Sequence, residues 1–368
     1  MRRLVLLMVW PATLAWQAHA TPLSRRLPLL PLRSPAQMLR PAEELHQAPS
    51  LLPLGVLMLV PVAWGTFGVA VKSIARLGAP PPELAFSVMQ YIVSSSALGL
   101  LSSVTLPPAA SEKLPATGAA TAAAGFELGS YLFFGAMLQL FGLSMTTATR
   151  GAFIVQLTTL FVPLMDAAAK RTAPSRLILG ACALAFCGVT AFVKSVPAGL
   201  AVGSTMMGDG LIGLAALLYS WHVVRLSYHA PRIPPVALAR AKELTRLCLG
   251  TLMLVGGIAL VAPQRQALVL FVRSFSAATA EAFTALALVT WVGLVTTAFP
   301  TWAQSFGQRS IDAGTATVIY TAQPLWSAAF GFALLGERLS RQSLAGAAAI
   351  FCAVALVALD RVRNRPRV

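Results

Sequence analysis

Carboxylates are scarce in this chain: its 368 residues hold 12 Asp and Glu against 28 Lys and Arg, and charged residues of both signs make up only 11%. So few polar side chains cannot coat a water-soluble globule of this length, which excludes an ordinary soluble domain. The surplus of base, a formal +16, does not point to nucleic acid, because the Lys and Arg stand singly between apolar stretches and form no stripe. Cysteine is equally sparse. Cys182, Cys187, Cys248 and Cys352 all fall in apolar stretches with no close Cys/His grouping, so they read as small core residues and not as metal ligands or redox groups. No Gly-x-x-x-x-Gly-Lys-Ser/Thr loop occurs to cradle a nucleotide, and no Gly-x-Ser-x-Gly elbow or His-Glu-x-x-His supplies a hydrolytic centre. His222 alone among the four histidines lies inside an apolar stretch, which leaves an intramembrane protease or lipid transferase without a base and nucleophile; no enzyme activity and no cofactor are expected.

What the chain does have is apolar length. It is 57% hydrophobic with a mean hydropathy of +0.74, as a polytopic membrane protein must be. The runs are continuous and do not alternate, which predicts helices and not a barrel. Ten stretches follow from the charges and Pro/Gly turns that bound them: 54–71, 84–104, 128–145, 151–165 and 177–193, then 211–224, 247–261, 286–306, 313–335 and 343–359. Several fall short of the roughly 20 residues that span a bilayer, so snorkelling side chains or local thinning must extend them. The connections 105–125 and 263–281, rich in Ala, Ser, Thr and Pro, read as solvated loops.

The two sets of five repeat each other. At an offset of 165 residues Gln139 recurs as Gln304, Gly142 as Gly307, Ala148 as Ala313, Ser175-Arg176 as Ser340-Arg341, and Phe186-Cys187 as Phe351-Cys352; Pro80 and Pro235 match at an offset of 155. Five crossings per copy is an odd number, so the second copy enters the membrane from the opposite side and the fold expected is all-α, ten transmembrane helices as two inverted five-helix repeats. With both ends on one face, fourteen of the 22 basic residues beyond the leader fall on that face, including Arg225, Arg232, Arg240, Lys242 and Arg246 at one junction. The positive-inside rule then puts the termini in the cytosol, or the stroma of a plastid.

Residues 1–50 read as an address and not as fold. Arg2-Arg3, the apolar run 4–10 and Ala18-His19-Ala20 form a signal peptide over 1–20, and the acid-poor basic leader 21–50 is transit-like. Signal followed by transit is the address of a plastid acquired from a eukaryotic alga, so a plastid envelope is favoured over plasma or endomembrane. The remaining divisions are a first repeat over 51–196, a second over 208–361 and a basic tail over 362–368.

The chain resembles the EamA-type members of the drug/metabolite transporter superfamily over residues 51–359. The likeness is carried by Ala63-Trp64-Gly65-Thr66, Gly208-Asp209-Gly210 leading into the run 215–221, Gln323-Pro324-Leu325, Gly336-Glu337-Arg338-Leu339-Ser340 and Ser343-Leu344-Ala345-Gly346. Residues 131–164 look most like plant and algal members. Two departures stand out: Gln90 takes the place of the family's basic residue near the start of helix two, and Lys170-Arg171-Thr172 that of the Gly-Glu turn in the first repeat. The resemblance implies a secondary transporter of a small metabolite, with helices one, three, four, six, eight and nine lining its pathway. The alternatives are a non-transporting receptor or assembly factor and, more remotely, the intramembrane enzyme. Partners expected are a small-molecule substrate and the lipid bilayer, with no nucleic acid; a homodimer is left open.

Polar groups in hydrocarbon are costly and face a cavity or another helix. Gln156, Thr158 and Thr159 precede Pro163 as Tyr320, Thr321 and Gln323 precede Pro324, and a proline frees a backbone carbonyl. The substrate-binding residues expected are therefore Trp64, Gln139, Arg150, Gln156, Thr159, Tyr219, Gln304, Tyr320 and Gln323, with hydrogen bonding between helices as the plainer role of the glutamines and threonines. Arg150 either pairs with an anionic solute or snorkels to the interface. Arg240, Lys242, Glu243 and Arg246 read as structural pairing at the start of helix seven, and Glu337-Arg338 as the setting of a hairpin.

Overall fold

A computed structural model describes residues 51–104, 118–169, 173, 175–194, 201–277, 280–338 and 340–363. The leader 1–50 and the loop core 105–117 lie outside the described residues. Every described element is helical: α1 (Leu51–Gly65), α2 (Phe67–Ala75), α3 (Glu83–Val104), α4 (Gly118–Met145), α5 (Ala148–Val155), α6 (Thr158–Ala169), α7 (Arg176–Lys194) and α8 (Val202–His229) come first. There follow α9 (Pro235–Leu260), α10 (Ala262–Ser276), α11 (Ala280–Trp291), a π-helical stretch Val292–Ala298, α12 (Phe299–Gly307), α13 (Ala313–Tyr320), α14 (Gln323–Phe330), a second π stretch Gly331–Leu335 and α15 (Arg341–Arg363).

Eight helical segments among the described residues are long and apolar enough to cross a membrane: Leu52–Ala75, Glu83–Val104, Gly118–Met145, Ala148–Ala168, Val202–His229, Pro235–Leu260, Ala280–Gly307 and Ala313–Leu335. The protein is an all-helical, multi-pass integral membrane protein. Where a fifth and a tenth span were expected stand α7 and α15, whose apolar parts, Arg176–Ala185 and Leu344–Leu356, are shorter. Leu100, Leu252, Leu260, Leu334 and Phe283 are exposed on outer faces, as side chains against lipid are.

Three expectations need correction. The segment 263–281 is not a solvated loop: α10 occupies most of it, opening on Pro263 where a missing N–H costs nothing, and closing as Ala277 N–H bonds Arg273 O at 3.0 Å. Its two arginines and low mean hydropathy disguised it. Helix α4 starts at Gly118, inside the expected loop 105–125, because the run Ala119–Ala124 is made of the best helix former and one threonine. Helix α9 starts at Pro235, well before the expected 247, so Lys242, Glu243 and Arg246 are helical and buried. Lys242 and Arg246 therefore drop out of the charge count that set the orientation.

The helix breaks follow the repeat. Helix α5 ends at Val155 and α6 restarts at Thr158; α13 ends at Tyr320 and α14 restarts at Gln323, each boundary displaced by the same 165 residues. Each N-terminus is capped in its own way. Asp312 accepts from the amides of Gly314 and Thr315, both at 3.0 Å, whereas Thr147, its counterpart, accepts from Arg150 N alone at 3.2 Å. The deficit at α5 is made good from the far end of the chain, where Glu337 accepts from Ala148 N at 2.9 Å and Thr149 N at 3.0 Å. Glu337 is held there by Gly336, the turn residue whose φ of 68° needs no Cβ. So Glu337 caps a helix of the first half instead of setting its own hairpin. Its replacement by alanine is expected to cost about 1–2 kcal/mol, read as a lowered midpoint of thermal aggregation in detergent; unchanged stability would show that the cap does not matter.

Close crossings rest on small residues, as packing in lipid favours. Helix α4 meets α8 at Gly142 and Gly208, where a Cβ on either would lie 2.7 Å from the other's carbonyl oxygen. Helix α7 meets α15 at Gly188, against Gly346 O. Helix α9 packs on α3 and α4, α1 on α12 and α14, α5 on α14, and α6 on α13. These pairings leave a space in the centre of the bundle.

Candidate functional site

That space is a cavity of about 120 Å³, walled by α1 to α6, α8, α9, the π stretch Val292–Ala298, and α12 to α14. Trp64, Gln139, Gln156, Thr159, Tyr219, Gln304, Tyr320 and Gln323 all line it. The ninth residue expected, Arg150, does not. Its Nε donates to both oxygens of Asp209 at 3.0 Å and its Nη2 also reaches that carboxylate, with both side chains 3% exposed. The pair clamps the first turn of α5 to the second turn of α8. Trp302 and Trp326, on α12 and α14, stack on Phe306 and Phe330.

Within the cavity the polar groups are arranged in pairs. Tyr219 Oη donates to Gln139 Oε1 at 2.7 Å. At the 155-residue offset Tyr219 corresponds to Trp64, which packs edge-on against Tyr320 with ring centres 5.1 Å apart. Tyr320 Oη in turn accepts from Gln308 Nε2 at 3.2 Å. Pro324, one turn after Tyr320, cannot donate to the Tyr320 carbonyl; that oxygen accepts from Gln156 Nε2 at 3.4 Å. One freed acceptor is thus used to tie the break in one half to the break in the other. The π stretch loosens the opposite wall and turns Thr296 and Thr297 toward the space just ahead of Pro300.

Sequence reasoning expected the pairing of Glu243 with Arg246 but not its burial at the cavity. Glu243, fully buried, accepts from Ser94 Oγ at 2.7 Å, Thr301 Oγ1 at 2.9 Å and Arg246 Nη1 at 2.7 Å. Lys242 Nζ donates to Thr301 O at 3.3 Å, and the Arg246 guanidinium lies over the Tyr91 ring at 4.4 Å. Arg246, Gln90 and His222 line the cavity, each under a tenth exposed. Gln90 Oε1, His222 Nε2 and Arg246 Nε have no hydrogen-bond partner among the described residues. The available signal was the run of polar residues Arg240, Lys242, Glu243 and Arg246, whose spacing puts the last three near one helix face. The run read as structural pairing at the start of a helix, ahead of the apolar span, and not as part of the cavity wall.

No curated protein matches the chain. Among solved structures, one described only as a crystal structure of a protein superposes with a TM-score of 0.58 at 16% identity, covering 85% of this chain and 98% of that one; a likeness at that identity concerns the fold alone. The model of the EamA-like transporter family matches residues 235–359, from the start of α9 into α15. Over this stretch, which supplies Glu243, Arg246, Gln304, Tyr320 and Gln323, the chain is similar to the EamA-like transporter family.

Proposed function

We propose that the protein is a secondary carrier of a small metabolite, working by alternating access between two inverted five-helix repeats. The observation that carries this is the central cavity, which draws polar residues from corresponding positions of both halves: Gln139 with Gln304, and Thr158 with Gln323 where the two broken helices restart. In hydrocarbon such a convergence of amides, hydroxyls and aromatic rings is costly unless a solute or water uses it. The contact pattern supports the same reading, since α3–α9 and α7–α15 each pair corresponding elements of the two repeats, and α5–α14 and α6–α13 cross the two broken helices half against opposite half. The elements α7 and α15 serve as the fifth and tenth crossings, with neither on the cavity wall. Residues 1–50 act as the address to a plastid envelope, a point tested by fusing them to a fluorescent protein and locating it in an algal cell.

The deciding experiment is flux into liposomes that hold the purified chain, against a labelled panel of neutral, anionic and cationic metabolites. At least one solute is expected to enter far faster than into empty liposomes, and Gln304→Ala is expected to lower that flux by about tenfold or more. Flux equal to empty liposomes across the whole panel would reject the carrier and favour a receptor or assembly role.

A further inference from the structure

We propose that the transported solute is a small organic monoanion whose carboxylate is held by Arg246. The inference rests on the carrier reading above and assigns its substrate class.

Arg246 is the one Lys, Arg, Asp or Glu on the cavity lining among the described residues. Its guanidinium is fixed on two sides: Nη1 is bonded to Glu243, and the plane lies against the Tyr91 ring. The edge carrying Nε is left with a donor that has no hydrogen-bond partner among the described residues, in a side chain 7% exposed. A buried N–H without a partner is uncommon and points to a missing acceptor. The formal charges say which acceptor. Lys242 and Arg246 stand against the single carboxylate of Glu243, whose two oxygens are already occupied by Ser94, Thr301 and Arg246. By formal charge the corner carries one more cation than carboxylate, and an arriving carboxylate supplies the missing acceptor at Nε and balances that count.

The same count argues against a phosphate dianion. A second cation would have to face the cavity, yet Lys242 is off the lining with its ammonium on the Thr301 carbonyl. The rest of the wall suits the other end of the solute: Trp64, Phe67, Leu132 and Val223 are apolar, while Gln90 Oε1 and His222 Nε2 wait for a polar substituent. The fit is to a carboxylic acid with a compact, partly apolar body.

The test uses the full chain in liposomes and labelled short aliphatic and aromatic monocarboxylates, each beside its own primary amide. The amide keeps the shape and a carbonyl but loses the charge. Wild-type protein is expected to move at least one carboxylate about tenfold or more faster than its amide, and Arg246→Gln to bring that ratio close to one; Arg246→Lys, which retains the charge, should keep part of it. If Arg246→Gln fails to fold, the wild-type ratio decides alone. A ratio near one in wild type, or a ratio unchanged in a folded Arg246→Gln protein, overturns the proposal. Flux of neutral or cationic solutes without carboxylates overturns it and leaves the carrier standing, whereas no flux of any solute removes both.

Discussion

Glu243→Ala is expected to cost about 3–5 kcal/mol, because it strips the only carboxylate from a buried site that keeps two cations. The side chain is fully buried and its two oxygens gather three donors from α3, α9 and α12. Removing it takes the acceptor from Ser94, Thr301 and Arg246 and leaves Lys242 and Arg246 close together without a counter-charge. Glu243→Gln should fall between, since its carbonyl still accepts while the charge is lost. The checks are the midpoint of thermal aggregation in detergent and the yield of monodisperse protein. An alanine variant as stable as wild type would mean that the buried charges are not held as described.

Arg150→Ala is expected to have a comparable effect, about 3–5 kcal/mol, by leaving Asp209 charged and buried. The pair joins α5 to α8 where side chains are 3% exposed on both sides, next to the glycine crossing of α4 with α8. Asp209→Ala should be as damaging. The double replacement Arg150→Met with Asp209→Leu should recover most of the loss, because two apolar groups of similar bulk remove the desolvation cost together with the attraction. A double variant as unstable as either single one would show that Arg150 or Asp209 has a second task.

The repeat was the part of this fold most open to sequence reasoning. An offset of 165 residues, read from pairs such as Gln139 and Gln304, also carries the helix breaks at Gln156–Leu157 and Thr321–Ala322. Polar residues ahead of prolines then led to the cavity wall, because both signals arise from the same cost of exposing polar groups to hydrocarbon. Charges misled for the opposite reason. A charged residue usually ends a membrane helix, so Lys242, Glu243 and Arg246 were read as structural pairing at the start of helix seven, outside its apolar span, although pairing with one another and with Ser94 and Thr301 lets α9 bury them. Arg150 and Glu337 were misplaced because their partners, Asp209 and the amides of Ala148 and Thr149, are 59 and nearly 190 positions away. Local patterning gives no access to such contacts. Helix α10 was hidden by composition, its arginines at positions 265 and 273 masking a helical stretch.

The most direct test of the account is thiol accessibility of the cavity from both faces of the membrane. In a background with Cys182, Cys187, Cys248 and Cys352 replaced by alanine, Thr159→Cys and Thr317→Cys each place one thiol at the cavity, on α6 and α13. Sealed vesicles of either orientation are then treated with a membrane-impermeant maleimide. Alternating access predicts that each thiol is labelled from both sides, with solute slowing the reaction. Labelling from one side only, or from neither, would contradict a carrier whose two halves open the shared cavity in turn.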